Sequence, residues 1–244
     1  MLHARHLLSI TLATLFALSS LSAADDTKPA DTKPATVLPV NRPQSGWEKR
    51  HELINERAKA GNVDVLFVGD SITQGWEGNA AAKVWEKYFG DLKPMNAGIS
   101  GDRTQHVLWR LQNGNLENIS PKLMVMMIGT NNAGSDSAAD IAAGIKEIVK
   151  YYRDARPDSK VLLLAIFPRS EKPDERRAVV AEASKLAADV ADGKMVHYLD
   201  IGEKFLQTDG TISKDIMPDF LHLSEAGYTI WAESITPKIK ELLQ

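Results

Sequence analysis

Short apolar segments that alternate with longer helical segments constrain the fold of this chain more than any other feature. The apolar segments are residues 63–68, 94–97, 122–128, 161–167 and 195–199. Because they are apolar almost throughout, rather than at every second position, they are typical of strands buried on both faces of a parallel sheet. The helical segments between and around them are residues 47–60, 80–89, 104–112, 138–155, 174–191 and 225–243. This alternation predicts an α/β fold with a parallel sheet covered on both faces.

Composition narrows the chemistry that such a fold can carry. The 244 residues include 43% hydrophobic and 25% charged residues, and the net charge of −3 provides no broad positive surface, so nucleic-acid binding is not expected. The absence of cysteine excludes disulfides, thiolate nucleophiles and zinc–thiolate sites. Catalysis would therefore rely on hydroxyl, imidazole, carboxylate or amide groups, or on a metal held by nitrogen and oxygen.

The first 45 residues differ in character from the rest. Arg5 precedes an apolar run over residues 7–21 that is shorter than the roughly 20 residues of a membrane-spanning helix. Small residues follow it, so residues 1–24 are predicted to be a signal peptide cleaved after Ala24, with a retained anchor as the alternative. Residues 25–45 repeat Asp-Thr-Lys-Pro-Ala and are predicted to be a disordered linker. We expect one domain over residues 46–244, in a secreted or periplasmic protein without stable membrane insertion after cleavage.

Polar turns follow the predicted strands, at the edge where parallel sheets bind ligands. They read Gly-Asp-Ser-Ile-Thr at 69–73, Asn-Ala-Gly-Ile-Ser-Gly-Asp at 96–102 and Gly-Thr-Asn-Asn at 129–132. Ser71 would lie at a helix N-terminus, where backbone N–H groups stabilise negative charge, although Asp70 and Ser71 also suit simple helix capping. Asn131 offers an amide donor for an oxyanion, although asparagine is equally common in turns.

A fourth motif, Asp-Phe-Leu-His at 219–222, precedes the last helix. Asp219 can orient the His222 ring so that its other nitrogen accepts a proton from Ser71, although metal binding or chance also produces this spacing. The other histidines outside the signal are His51, expected to be solvated, His197, expected to be structural, and His106, which either lines the cleft or packs.

Together and in this order, the four motifs resemble the SGNH hydrolases, also called the GDSL esterase/lipase family. The resemblance implies a three-layer α/β/α, flavodoxin-like sandwich with a five-stranded parallel sheet. It also implies a catalytic triad of Ser71, Asp219 and His222, and an oxyanion hole formed by Ser71, Gly101 and Asn131. Other polar residues of the motifs are expected to support these groups rather than react: Asp70, Asp102 and Asn132. Ile72 replaces the leucine of the family motif and is expected to pack beneath the nucleophile.

A closer resemblance connects the chain to the catalytic subunits of platelet-activating factor acetylhydrolase. It rests on residues 98–111, 113–114, 129–132, 167–169 and 215–222, and it extends from about residue 63 to the C-terminus. The resemblance is weakest over residues 76–93, which border the expected site. It implies a preference for a two-carbon acyl group, and a possible homodimer.

We therefore expect a secreted serine esterase that hydrolyses short-chain, chiefly acetyl, esters of small molecules or carbohydrates, without cofactor or metal. The alternative substrates are phospholipids like platelet-activating factor. A non-catalytic carbohydrate-binding module is a more remote alternative, which the presence of all four motifs disfavours. A metallophosphoesterase would need more well-placed histidines than the sequence provides.

Overall fold

The computed structural model describes residues 33–79 and 81–244, whose centre is a five-stranded parallel sheet. The strands are β1 (Val65–Gly69), β2 (Pro94–Gly98), β3 (Leu123–Met127), β4 (Lys160–Leu164) and β5 (Val196–Leu199). Their order in the sheet is β2-β1-β3-β4-β5. This is the flavodoxin-like order, in which the chain leaves β1 toward one edge and returns as β3 on the other side. The predicted α/β fold with five parallel strands is confirmed.

Helices cover both faces of the sheet, which makes the molecule a three-layer α/β/α sandwich. They are α1 (Ser45–Lys59), α2 (Ser71–Gln74), α3 (Ala82–Phe89), α4 (Thr104–Arg110), α5 (Ala138–Ala155), α6 (Glu175–Ala187) and α7 (Glu225–Leu242). Strands β1 and β3 are buried along their whole length, because they are central in the sheet and covered on both sides. No helix within the described ranges is long and apolar enough to cross a membrane.

The short helix α2 is anchored to the last helix. The Tyr228 hydroxyl, on α7, donates a hydrogen bond to the Ile72 carbonyl over 2.8 Å. The two helices approach so closely that a Cβ atom at Gly75 would lie 2.0 Å from the Tyr228 hydroxyl oxygen. A larger residue at Gly75 would therefore displace either the Tyr228 ring or the end of α2, the helix that carries Ser71.

Residues 33–45 differ from the predicted disordered linker, because they pack on the domain. Thr36, only 1% exposed, lies in a short 3₁₀ helix (Ala35–Val37). Its hydroxyl donates to the Asp140 carbonyl over 2.6 Å, and its own carbonyl accepts from the Thr104 hydroxyl. These bonds satisfy polar groups that burial would otherwise leave unpaired. The domain therefore begins before residue 46, whereas the predicted signal peptide and residues 25–32 of the linker lie outside the described residues.

Candidate active site

Ser71 follows β1 directly and is the first residue of α2. The side chain of Asp70 caps this helix, with Oδ1 accepting a hydrogen bond from the Ile72 N–H over 3.0 Å. Strand β1 ends at Gly69, where a Cβ atom would lie 2.5 Å from the Met127 carbonyl oxygen of the neighbouring β3. The turn after β1 therefore places the Ser71 hydroxyl at the carboxyl edge of the sheet.

His222 contacts both Ser71 and Asp219. Its Nε2 atom lies 2.9 Å from the Ser71 Oγ atom, and its Nδ1 atom lies 2.7 Å from Asp219 Oδ2. The other carboxylate oxygen of Asp219 accepts from the backbone N–H of His222 over 2.7 Å. The Asp219 carboxylate thus fixes the ring orientation, and this geometry allows His222 to accept the hydroxyl proton of Ser71.

The surroundings of Asp219 favour its charged form. Partial burial works against ionisation, but hydrogen bonds from the ring and backbone of His222 and from the Leu221 N–H outweigh it, and the pKa of Asp219 falls below its ordinary value. Asp219 is therefore a carboxylate at neutral pH, and it stabilises the imidazolium that forms when His222 takes up a proton.

Gly101 and Asn131 lie on two loops that meet beside Ser71. Gly101 has a left-handed backbone, with φ of +77°, which an L-residue rarely adopts. The Asn131 side-chain amide donates to the Asp102 carbonyl over 2.9 Å and lies 3.4 Å from Asp70 Oδ2. Within residues 33–79 and 81–244, no group accepts a hydrogen bond from the backbone N–H of Ser71 or of Gly101. These two backbone donors are available to a developing negative charge, whereas the Asn131 amide would exchange its long contact with Asp70 for a hydrogen bond to the oxyanion.

The carboxylate of Asp102 is fully buried beneath this loop. Its Oδ2 atom accepts from the Arg110 Nε over 2.6 Å, and its Oδ1 atom accepts from the Trp47 Nε1 over 2.7 Å and from Arg42 Nη1 over 3.4 Å. Arg110, also fully buried, donates to the Gly69 carbonyl at the end of β1 over 2.9 Å. The ion pair of Arg110 with Asp102 therefore connects the loop that carries Gly101 to the end of β1, two residues before Ser71.

Asn132 is buried and connects α4 to the same region. Its side-chain oxygen accepts from the Thr104 N–H, the first residue of α4, over 3.1 Å, and its amide donates to Asp136 Oδ2 over 2.9 Å. Because both ends of the side chain are used, Asn132 supports the loop next to Asn131 and does not face Ser71.

The remaining histidines lie away from Ser71. His51, expected to be solvated, is instead buried and stacks on Trp47, with 5.3 Å between ring centroids. His106 packs rather than lining the cleft, because its Nδ1 accepts from the Arg103 N–H, and burial lowers its pKa to about 4. His197 lies 3.1 Å from the Lys194 carbonyl. In the described part of the chain, no three His, Asp or Glu side chains are placed to hold a metal ion.

Asp70 should make the stability of the protein depend on pH. Burial raises the pKa of Asp70 from 3.8 to about 7. The hydrogen bond from the Ile72 N–H acts in the opposite direction but is the smaller effect. The folded protein thus retains a proton that the unfolded chain releases, and this contribution to stability is lost as pH rises from about 4 to about 7. We expect Asp70→Asn to gain about 4 kcal/mol relative to the wild type between pH 4 and pH 8, measured by urea unfolding. A stability difference that does not change with pH would contradict this.

Comparison with known proteins identifies relatives of the whole domain. The model of the GDSL-like lipase/acylhydrolase family matches residues 67–230. Platelet-activating factor acetylhydrolase IB subunit alpha1 from Bos taurus is 38% identical over 205 residues, which are 84% of this chain and 86% of that protein. The alpha2 subunit from Rattus norvegicus is 38% identical over 219 residues, which are 88% of this chain and 93% of that protein.

Solved structures share the fold. A putative platelet activating factor from Streptococcus pneumonia superposes with a TM-score of 0.65 and 24% identity, covering 82% of this chain and 96% of that one. A variant of Axe2, an acetyl xylan esterase from Geobacillus stearothermophilus, has a TM-score of 0.57 and 18% identity, covering 72% of this chain and 93% of that one.

Proposed function

The chain belongs to the GDSL-like lipase/acylhydrolase family, and from this premise we propose that it is a serine esterase that removes acetyl and other short acyl groups from carbohydrate esters. The observation that carries the proposal is the hydrogen-bonded series from Asp219 through His222 to Ser71. A hydroxyl is a weak nucleophile by itself, and a neighbouring imidazole that takes its proton makes it reactive.

In the reaction that we propose, the Ser71 oxygen attacks the ester carbonyl carbon while its proton passes to His222 Nε2. The carbonyl oxygen becomes negative and is held by the backbone N–H groups of Ser71 and Gly101 and by the Asn131 amide. His222 then donates the proton to the alcohol oxygen as the bond from that oxygen to the carbonyl carbon breaks. Water repeats the cycle on the acyl-enzyme, which releases the carboxylic acid and returns the proton to Ser71.

Different similar proteins support two classes of alcohol as the part of the ester that is released. The proteins that are 38% identical are named for platelet-activating factor, an acetylated phospholipid, whereas solved structures of the same fold include an acetyl xylan esterase and a carbohydrate acetylesterase. We favour acetylated carbohydrate because we also propose that residues 1–24 export the protein, and secreted esterases commonly meet acetylated polysaccharide. Phospholipid acetyl esters remain the second candidate.

The acyl preference can be measured with 4-nitrophenyl acetate, butyrate and octanoate. We expect kcat/KM to fall by about tenfold or more from acetate to octanoate, because a pocket fitted to a two-carbon group has no room for a longer chain. A Ser71→Ala variant is the control for background hydrolysis. A kcat/KM that is higher for octanoate than for acetate would contradict the proposed short-chain specificity.

A further inference from the structure

An open cavity of about 370 Å³ lies directly beside the Ser71 hydroxyl. We call this cavity the Glu77 groove. The residues that line it are Ser71, Gln74, Gly75, Glu77, Gly78 and Ser100. Every side chain of this groove ends in a hydroxyl, an amide or a carboxylate, and the two other residues are glycines. No aliphatic or aromatic side chain among the described residues lines it, and the hydroxyl, amide and carboxylate groups offer several hydrogen-bond partners to the hydroxyl groups of a ligand.

The carboxylate of Glu77 is held in one orientation. Arg50 donates two hydrogen bonds to it, from Nη1 over 2.8 Å and from Nη2 over 2.6 Å, in the bidentate geometry that fixes a carboxylate most firmly. Arg50 is fixed in turn by hydrogen bonds to the carbonyls of Asn96 and Gly98, at the end of β2. The Glu77 side chain nevertheless stays 50% exposed, so its oxygens can accept further hydrogen bonds.

The opposite side of the groove is also ordered. The Ser100 N–H donates to Gln74 Oε1 over 2.7 Å, which connects the loop before Gly101 to helix α2. This bond holds the Gln74 amide oxygen against the backbone and leaves its NH₂ end available as a donor. A preformed set of donors and acceptors lowers the entropic cost of binding a polar ligand.

We propose, resting on the serine esterase function above, that the Glu77 groove binds the alcohol part of the ester and that Glu77 accepts hydrogen bonds from hydroxyls of a sugar ring. The charge of Arg50 is already paired with Glu77, and Arg42, which donates to the Ser100 carbonyl beside the groove, is paired with Asp102. No cation is among the described lining residues that could bind a phosphate. A phosphodiester next to the Glu77 carboxylate would meet like charge. These features favour a neutral, hydroxyl-rich alcohol over a phospholipid head group.

The test compares Glu77→Ala with wild type on two acetyl esters, an acetylated xylooligosaccharide and 4-nitrophenyl acetate. We expect kcat/KM for the xylooligosaccharide to fall about tenfold or more, chiefly through KM, because hydrogen bonds to a charged acceptor are lost. The fall in kcat/KM for 4-nitrophenyl acetate should be several times smaller, since its alcohol has no hydroxyls to bind. Glu77→Gln, which keeps the shape of the side chain, should show a smaller loss on the same substrate.

Asp189→Asn is the matched control, because Asp189 is an exposed carboxylate paired with Lys146 and does not line the groove. The proposal would be overturned if Glu77→Ala lowered kcat/KM equally for both esters, or did not lower it for the xylooligosaccharide. An equal fall in kcat/KM for an acetylated choline phospholipid would also overturn it. So would a wild-type enzyme that cleaves 4-nitrophenyl acetate but no acetylated sugar. A wild type inactive on every ester would instead refute the proposed function, and this inference with it.

Discussion

Replacing His222 with alanine is expected to lower kcat by about 10⁴–10⁶-fold on any ester that the enzyme cleaves. The His222 ring lies between the Ser71 hydroxyl and the Asp219 carboxylate, at 2.9 and 2.7 Å. Without it, no described histidine is close enough to take the Ser71 proton, and none can return it to the leaving alcohol. Steady-state kinetics with 4-nitrophenyl acetate would measure the loss.

The fold should survive this change, because the His222 side chain is 46% exposed and its loss opens no core cavity. His197→Ala is the matched control, since that ring lies at hydrogen-bond distance from the nearby Lys194 carbonyl rather than from Ser71, and its variant should retain wild-type activity. Activity of His222→Ala within about tenfold of wild type, with an unchanged Tm, would contradict the assigned role of this histidine.

Arg110→Met is expected to destabilise the protein by about 3–5 kcal/mol, the usual cost of breaking a buried ion pair from one side. The substitution removes the 2.6 Å hydrogen bond to Asp102. The buried carboxylate then keeps hydrogen bonds only from Trp47 and from the more distant Arg42 among the described residues. Activity should fall as well, because Arg110 also holds the Gly69 carbonyl, two residues before Ser71. Urea unfolding at neutral pH would measure the free energy of unfolding.

Two further variants make the result specific. Lys150→Met removes an exposed ion pair with Asp154 and should leave the free energy of unfolding nearly unchanged. The double variant Asp102→Asn with Arg110→Met should be about 1–2 kcal/mol more stable than the sum of its single variants predicts, since no uncompensated charge stays buried. A loss below about 1 kcal/mol for Arg110→Met would show that the pair does not anchor this region.

The site motifs were predictable because each follows a strand or precedes the last helix at a recognisable turn. Strands β1 and β3 are neighbours in a parallel sheet, so Ser71 and Asn131, which follow them, emerge at the same edge. The contact with His222 is different, because 151 residues separate it from Ser71. Spacing alone left metal binding or chance as alternatives for the Asp219 and His222 pair. Only the family resemblance predicted that this pair lies beside Ser71.

The network behind the site could not be predicted, because its residues resemble surface residues in the sequence. An arginine within a helix ordinarily reaches solvent, yet Arg110 is fully buried. Its charge is compensated there by hydrogen bonds to Asp102 and to the carbonyl of Gly69, which lies 41 residues away. The proline-rich segment at 33–45 was likewise predicted to be disordered. It is ordered by partners remote in sequence, such as Asp140, which lies 104 residues from Thr36. Composition carries no signal for such contacts.

Covalent labelling of Ser71 tests the proposed serine mechanism most directly. The purified protein is incubated with an organophosphonate ester, which traps an activated serine, and is then examined by intact-mass measurement, peptide mapping and residual activity. We predict a single adduct on Ser71 that forms in step with the loss of activity, and no adduct or activity in Ser71→Ala. An adduct on another residue, or a Ser71→Ala variant that still hydrolyses esters, would contradict the mechanism.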